Sequence, residues 1–126
     1  MEKKIIETNL APAPIGPYSQ AVQMGNILFT SGQIALDPVD GTLYKGDIKI
    51  ETQKVLDNLA NVLKAAGMDF SNVMKVSIFL LDMGQFPIVN EVYKSYFPDN
   101  YPARETVQVT GLPKGANVEI SVIAMQ

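Results

Sequence analysis

From Ile48 onward, apolar or small residues recur at positions 52, 55, 56, 59, 62, 63 and 66. That is the spacing of one helix face, and Gly67 stands where a helix ends in the left-handed conformation. Phe86–Phe97 predicts a second helix, with Pro87 tolerated in its first turn, Pro98 ending it, and the stripe Phe86, Asn90, Tyr93, Phe97 on one side. The remaining apolar runs are short, as strands are. Lys4–Thr8 is a short first strand, followed by the stiff connector Ala11-Pro12-Ala13-Pro14. Gly25-Asn26 separates Gln20–Met24 from Ile27–Ser31 by the two residues of a tight hairpin. Asp37-Pro38-Val39-Asp40-Gly41 is turn chemistry, and it lacks the later ligands of a calcium loop. The order is βββαβαββ over one domain, residues 1–126, with no internal repeat. Its simplest arrangement is an α+β fold with two helices on one face of a mostly antiparallel sheet.

Strand alternation divides the last two runs into faces. In Arg104–Thr110, Val107 and Val109 share one side and Arg104, Thr106 and Gln108 the other. In Val118–Ala124, Val118, Ile120, Val122 and Ala124 form an apolar face opposite Glu119 and Ser121. The two runs read as a hairpin with one side on a core and one polar side, so Arg104 and Glu119 both project from polar faces. Pairing about Lys114 puts Glu119 opposite Val109, roughly 17 Å along from Arg104 at the usual strand rise. Val73–Leu81 is apolar on both faces, with Val73 and Phe79 opposite Met74, Val76, Ile78 and Leu80. One helical layer covers only one face, so the other meets more protein, either a second chain or a thicker core.

Composition narrows the chemistry. The 126 residues are 47% hydrophobic, enough for a real core, and carry a net charge of −3 with no basic stripe to neutralise phosphates, which argues against nucleic acid. No apolar run is long enough to span a bilayer, and the start Met1–Glu7 lacks the apolar core of a signal peptide. The absence of cysteine suits a reducing compartment, and cytoplasm is the expected location. With no His and no Cys there is no imidazole base, no thiolate and no soft-metal site, and the 13 carboxylates are scattered. No metal or cofactor is expected. Arg104 is the only arginine. By residue type it is either a surface charge or an anion clamp whose planar fork matches a carboxylate better than lysine does.

The surroundings of Arg104 favour the clamp. Pro102-Ala103-Arg104, Leu112-Pro113-Lys114-Gly115 and Val118-Glu119-Ile120 closely resemble the C-terminal signature of the RidA (YjgF) family. Ile15-Gly16-Pro17-Tyr18-Ser19-Gln20-Ala21 and Thr30-Ser31-Gly32-Gln33-Ile34 match its other signatures in order and spacing, and Phe86–Tyr93 resembles its second helix. The likeness covers nearly the whole chain. It implies a chorismate-mutase-like fold assembled as a homotrimer, with helices outside, sheets around a central barrel and active sites between subunits. It also implies an enamine/imine deaminase, hydrolysing 2-aminoacrylate/2-iminopropanoate and 2-iminobutanoate to 2-keto acids and ammonia. The reading from another class is a trimeric 2-keto-acid-binding or regulatory module without turnover. Endoribonuclease activity, attributed to some relatives, sits poorly with an acidic chain that has one Arg and no His.

The resemblance and the chemistry together select the site. Arg104 is the carboxylate clamp. Glu119 orients water or shuttles a proton, or else is a solvated strand carboxylate. Tyr18 packs on substrate and donates its hydroxyl, or only anchors the loop beside Pro17. Ser31 and Gly32 suit a close backbone approach to ligand, or a strand end. Asn90 contacts substrate or bonds the backbone. Gln33 and Glu105 are structural or solvated. Thr106 occupies the position where several relatives carry Cys, so no thiol role carries over, although Thr106 remains a substrate-binding candidate. On the hairpin geometry, Arg104 and Glu119 serve one small imino acid only when different chains contribute them.

Overall fold

The computed structural model describes residues 1–126. Eight main elements follow in the expected order: β1 (Lys4–Ile6), β2 (Ala21–Met24), β3 (Ile27–Thr30), α1 (Ile48–Ala65), β4 (Val73–Leu80), α2 (Phe86–Tyr96), β5 (Ala103–Gln108) and β6 (Val118–Met125). The strands form one six-stranded sheet in the order β1-β2-β3-β6-β4-β5. Every neighbouring pair is antiparallel except β4 and β5, which run parallel with α2 as their crossover.

Local chemistry sets the boundaries. The Asp47 carboxylate accepts the Lys49 N–H at 2.7 Å and opens α1. Gly67 closes it at φ +73°, with its N–H on the Lys64 carbonyl and the Met68 N–H on the Leu63 carbonyl, both at 2.9 Å. Between them Val55, Leu56, Leu59, Val62 and Leu63 are fully buried against Val76, Ile78 and Leu80 of β4 and Val118 and Ile120 of β6. Truncating such a residue, Leu59→Ala for instance, costs about 2–5 kcal/mol.

The C-terminal hairpin expected from the sequence does not form. β4 lies between β5 and β6 and pairs with both. The intervening loop is too long for a tight turn, and the exposed, polar β5 suits the sheet edge better than the largely buried β4. Val109 therefore bonds the Leu80 carbonyl at 2.8 Å, and Glu119 stands opposite Phe79 rather than Val109.

Two face assignments change with it. The alternation in β5 is as expected, but Arg104, Thr106 and Gln108 register with Val76, Ile78 and Leu80 on the helix side, while Val107 registers with Phe79 on the open side. In β4 a register shift between Val73 and Lys75 inserts one extra residue. That bulge returns Val73 to the core and turns Met74 outward. On the open side β4 presents Lys75, Ser77 and Phe79, so it is not apolar on both faces as expected, and the apolar patch there belongs to other strands. Ile5, Val22, Phe29 and Ile123 are successive partners across β1, β2, β3 and β6, and Ile5 and Phe29 are each 47% exposed.

Candidate active site

Arg104 lies on the edge strand β5, and its side chain reaches α2. The guanidinium carbon sits 5.2 Å from the centre of the Phe86 ring and 4.9 Å from that of Tyr93. Its Nη1 donates to the Asn90 Oδ1 at 2.6 Å. The helical stripe Phe86, Asn90, Tyr93 is thus a cradle for one cation, combining cation–π attraction with a fixed hydrogen bond. No carboxylate lies within ion-pair distance; the chain's only ion pair joins Lys75 and Glu105 at 3.6 Å. The remaining guanidinium donors face a cleft completed by Lys94, Tyr101 and Pro102. Orientation with an unmatched charge is what a receptor for a carboxylate requires.

Glu119 belongs to a second cleft, with Tyr18, Ser31, Gly32 and Lys114 around it. Its carboxylate makes no hydrogen bond within the chain, and burial raises its pKa above the ordinary glutamate value. Gly32 is essential to this placement. A Cβ there would lie 2.5 Å from the Glu119 Oε2 and 2.6 Å from its carboxyl carbon. The Ser31 hydroxyl donates to the Ser19 carbonyl at 2.6 Å and its N–H bonds the Gln20 carbonyl at 2.9 Å, which holds the Tyr18 loop beside β3. The Tyr18 hydroxyl accepts the Ile15 N–H at 3.3 Å, while the ring remains exposed. Lys114 stands in the left-handed region, at φ 57° and ψ 16°.

The two clefts do not merge within one chain. Arg104 shares a row with Val76 and Val122 on the helix side, whereas Glu119 shares one with Phe79 and Val107 on the open side.

Comparison with known proteins matches this arrangement to a family. A family model described as endoribonuclease L-PSP matches residues 8–126. The 2-iminobutanoate/2-iminopropanoate deaminase of Mus musculus is 51% identical over 124 residues, covering 98% of this chain and 92% of that one. RidA from the Antarctic bacterium Psychrobacter superposes with a TM-score of 0.94 at 40% identity, covering 98% and 99% of the two chains. E. coli TdcF, solved with bound serine, gives 0.93 at 40% identity and 98% of each. The chain belongs to the RidA/YjgF family.

For this RidA/YjgF chain, six of the seven residues singled out from sequence fall into the two clefts: Arg104 and Asn90 in one, Tyr18, Ser31, Gly32 and Glu119 in the other. Thr106 lines neither. It lies on the helix side two residues beyond Arg104, with its hydroxyl oxygen buried and unpartnered. Asn90 lines the arginine cleft, and its Oδ1 holds the guanidinium rather than a backbone group. Gln33 is structural, its N–H and carbonyl pairing with Ile120, and Glu105 is exposed and bonds Ser77 and Lys75. Sequence reading missed Phe86 and Tyr93 as walls of the arginine cradle. Their spacing with Asn90 was the available signal, since a polar amide within an aromatic helical stripe needs a partner.

Proposed function

We propose that this chain is a hydrolase that converts small 2-imino acids to 2-keto acids and ammonia, as a homotrimer whose sites each join two subunits. The oriented, unpaired Arg104 carries the reading. Serine, bound in E. coli TdcF, bears the same α-carboxylate that an imino acid would present to this fork. Several relatives are named 2-iminobutanoate/2-iminopropanoate deaminase, those of mouse and human among them.

An imine carbon is already electrophilic, so the reaction needs position and proton movement rather than a covalent nucleophile. Arg104 holds the carboxylate and thereby fixes the C=N carbon. Glu119 of a neighbouring subunit accepts a proton as water adds its oxygen to that carbon and passes it to the imine nitrogen, giving a carbinolamine. Glu119 then takes the hydroxyl proton as the keto group forms and delivers it to nitrogen, so the C–N bond breaks and ammonia leaves. A carboxyl whose pKa is raised by burial is better matched to both transfers than a solvated one.

The trimer supplies what the monomer lacks. Apolar residues on the open sheet face favour burial against other copies, and a neighbour can bring Glu119 to Arg104. Light scattering should give about three times the 13.8 kDa chain mass. The absence of cysteine suits the cytoplasm we propose. Ribonuclease activity, named in the family description, finds little support in a chain with one arginine, no histidine and a net charge of −3.

Freshly generated 2-aminoacrylate tests the reading. Accelerated release of ammonia and pyruvate is expected. Tight binding of 2-ketobutyrate without turnover would make the chain a binding module instead.

A further inference from the structure

Glu51 is a carboxylate in the first turn of α1 with no exposed surface, among the largest fully buried side chains of the protein. No lysine or arginine pairs with it. Both of its oxygens are used by one residue: Oε2 accepts the Asn117 backbone N–H at 2.8 Å, and Oε1 accepts the Asn117 Nδ2 at 2.9 Å. The Asn117 carbonyl in turn accepts the Leu81 N–H at 3.0 Å. Asn117 is therefore fastened twice to α1 and once to the end of β4.

A buried carboxylate with no cation stabilises a fold less well than an apolar side chain of equal volume, so its use here calls for a geometric reason. The reason lies two residues along the chain. Glu119 has no hydrogen bond to aim its carboxylate. Its direction comes from the backbone around it: its own place opposite Phe79 in the β4–β6 ladder, Asn117 on one side, and on the other Ile120, whose N–H and carbonyl pair with Gln33 at 3.1 and 2.8 Å. Gly32 supplies the open space against which the side chain lies.

We propose that Glu51 and Asn117 form a buried latch that positions Glu119, acting on proton transfer without touching substrate. The latch rests on the deaminase reading, because it assigns Glu119 the proton. Its two halves are complementary: a carboxylate that only accepts faces a backbone N–H and an amide that both donate.

That complementarity provides the test. Glu51→Met removes both acceptors and leaves the Asn117 backbone N–H and Nδ2 unpaired. The expected result is a fall in kcat of roughly tenfold, with 2-ketobutyrate affinity at Arg104 held within about twofold. Glu51→Gln should keep kcat near wild type, because its Oε1 still accepts the backbone N–H and its Nε2 donates to the Oδ1 of a turned-over Asn117 amide. The residual activity of Glu119→Gln should not fall further when Glu51→Met is added, since both changes act through one group. If Glu51→Met fails to fold, Asn117→Ala, which keeps the backbone bond but strips Oε1 of its partner, reads the latch in its place. Wild-type kcat in the folded disrupting variant, a full additional loss in the Glu119→Gln background, or a Glu51→Gln as impaired as that variant would overturn the latch. If the wild-type chain releases no ammonia, the deaminase reading fails separately. Carbon-detected NMR titration of the Glu119 carboxyl then decides the latch: its midpoint should move in the disrupting variant and stay in Glu51→Gln, and an unmoved midpoint in the former overturns it.

Discussion

Arg104 and Glu119 project from opposite faces of one sheet, two strands apart with β4 between them. Their partners on β4 are Val76 and Phe79, three residues apart and pointing to opposite sides. The separation is about 10 Å along the strands and about 10 Å across them, and the side chains diverge from there. The hairpin expected from the sequence, the basis there for a site shared between chains, does not form. The proposed sharing rests instead on the two faces, because no side-chain rotation carries either group through the sheet.

Subunit mixing should reveal the sharing. Arg104→Ala and Glu119→Ala chains are each expected to be inactive alone. After reversible dissociation and reassembly together, some sites receive both intact residues and activity should return. Verified subunit exchange with no recovery would place the site within one chain.

Replacing the clamp by its nearest analogue tests geometry against charge. Arg104→Lys keeps the cation but loses the planar fork between Phe86 and Tyr93 and the fixed bond to Asn90. Loss of charge-assisted hydrogen bonds worth about 1.5–3 kcal/mol corresponds to roughly ten- to hundredfold in kcat/KM. Steady-state kinetics at wild-type level would return Arg104 to the role of a surface charge.

Gly32→Ala separates folding from function. The new methyl meets the end of the Glu119 side chain, which can swing away at little cost to the fold. The melting temperature should barely change while kcat drops sharply, because the carboxylate no longer lies where proton transfer needs it. An active Gly32→Ala enzyme would remove Glu119 from the mechanism.

Glu119 also imposes a pH dependence. Burial raises its pKa from the ordinary 4.5, so the folded chain holds this proton more tightly than the unfolded chain does. The stability from that proton is fully present below about pH 4.5 and is lost as pH rises through the higher folded value. Glu119→Gln removes the cost of ionisation, so it should raise the melting temperature more at pH 7 than at pH 4. In wild type, kcat should show a limb above the usual glutamate range that Glu119→Gln lacks. Equal melting shifts at both pH values would mean that the carboxylate is effectively solvated.

Much of the architecture was written in local pattern. The 3.6-residue stripe from Ile48 to Ala66 and the Gly67 cap predicted α1, and Pro87 and Pro98 bounded α2. Gly25-Asn26 predicted the β2–β3 turn, because these signals depend on residues near in the chain. The apolar positions of β6 fell on the core face as expected, since alternation is equally local. The bulge at Met74 was hidden, because an extra residue in a ladder is defined by the partner strand.

The sequence by itself determined which groups were available for chemistry: one guanidinium, no imidazole, no thiol, and an acid two residues beyond Asn117. Its signatures placed Arg104, Asn90, Tyr18, Ser31, Gly32 and Glu119 together as candidates. Only the tertiary structure decided how they divide. Insertion of β4 between β5 and β6 put Arg104 against α2 on one side of the sheet and Glu119 on the other, and drew Glu51 of α1 onto Asn117. Strand order and choice of face depend on which apolar surfaces bury each other across long stretches of chain, and no local periodicity records that competition.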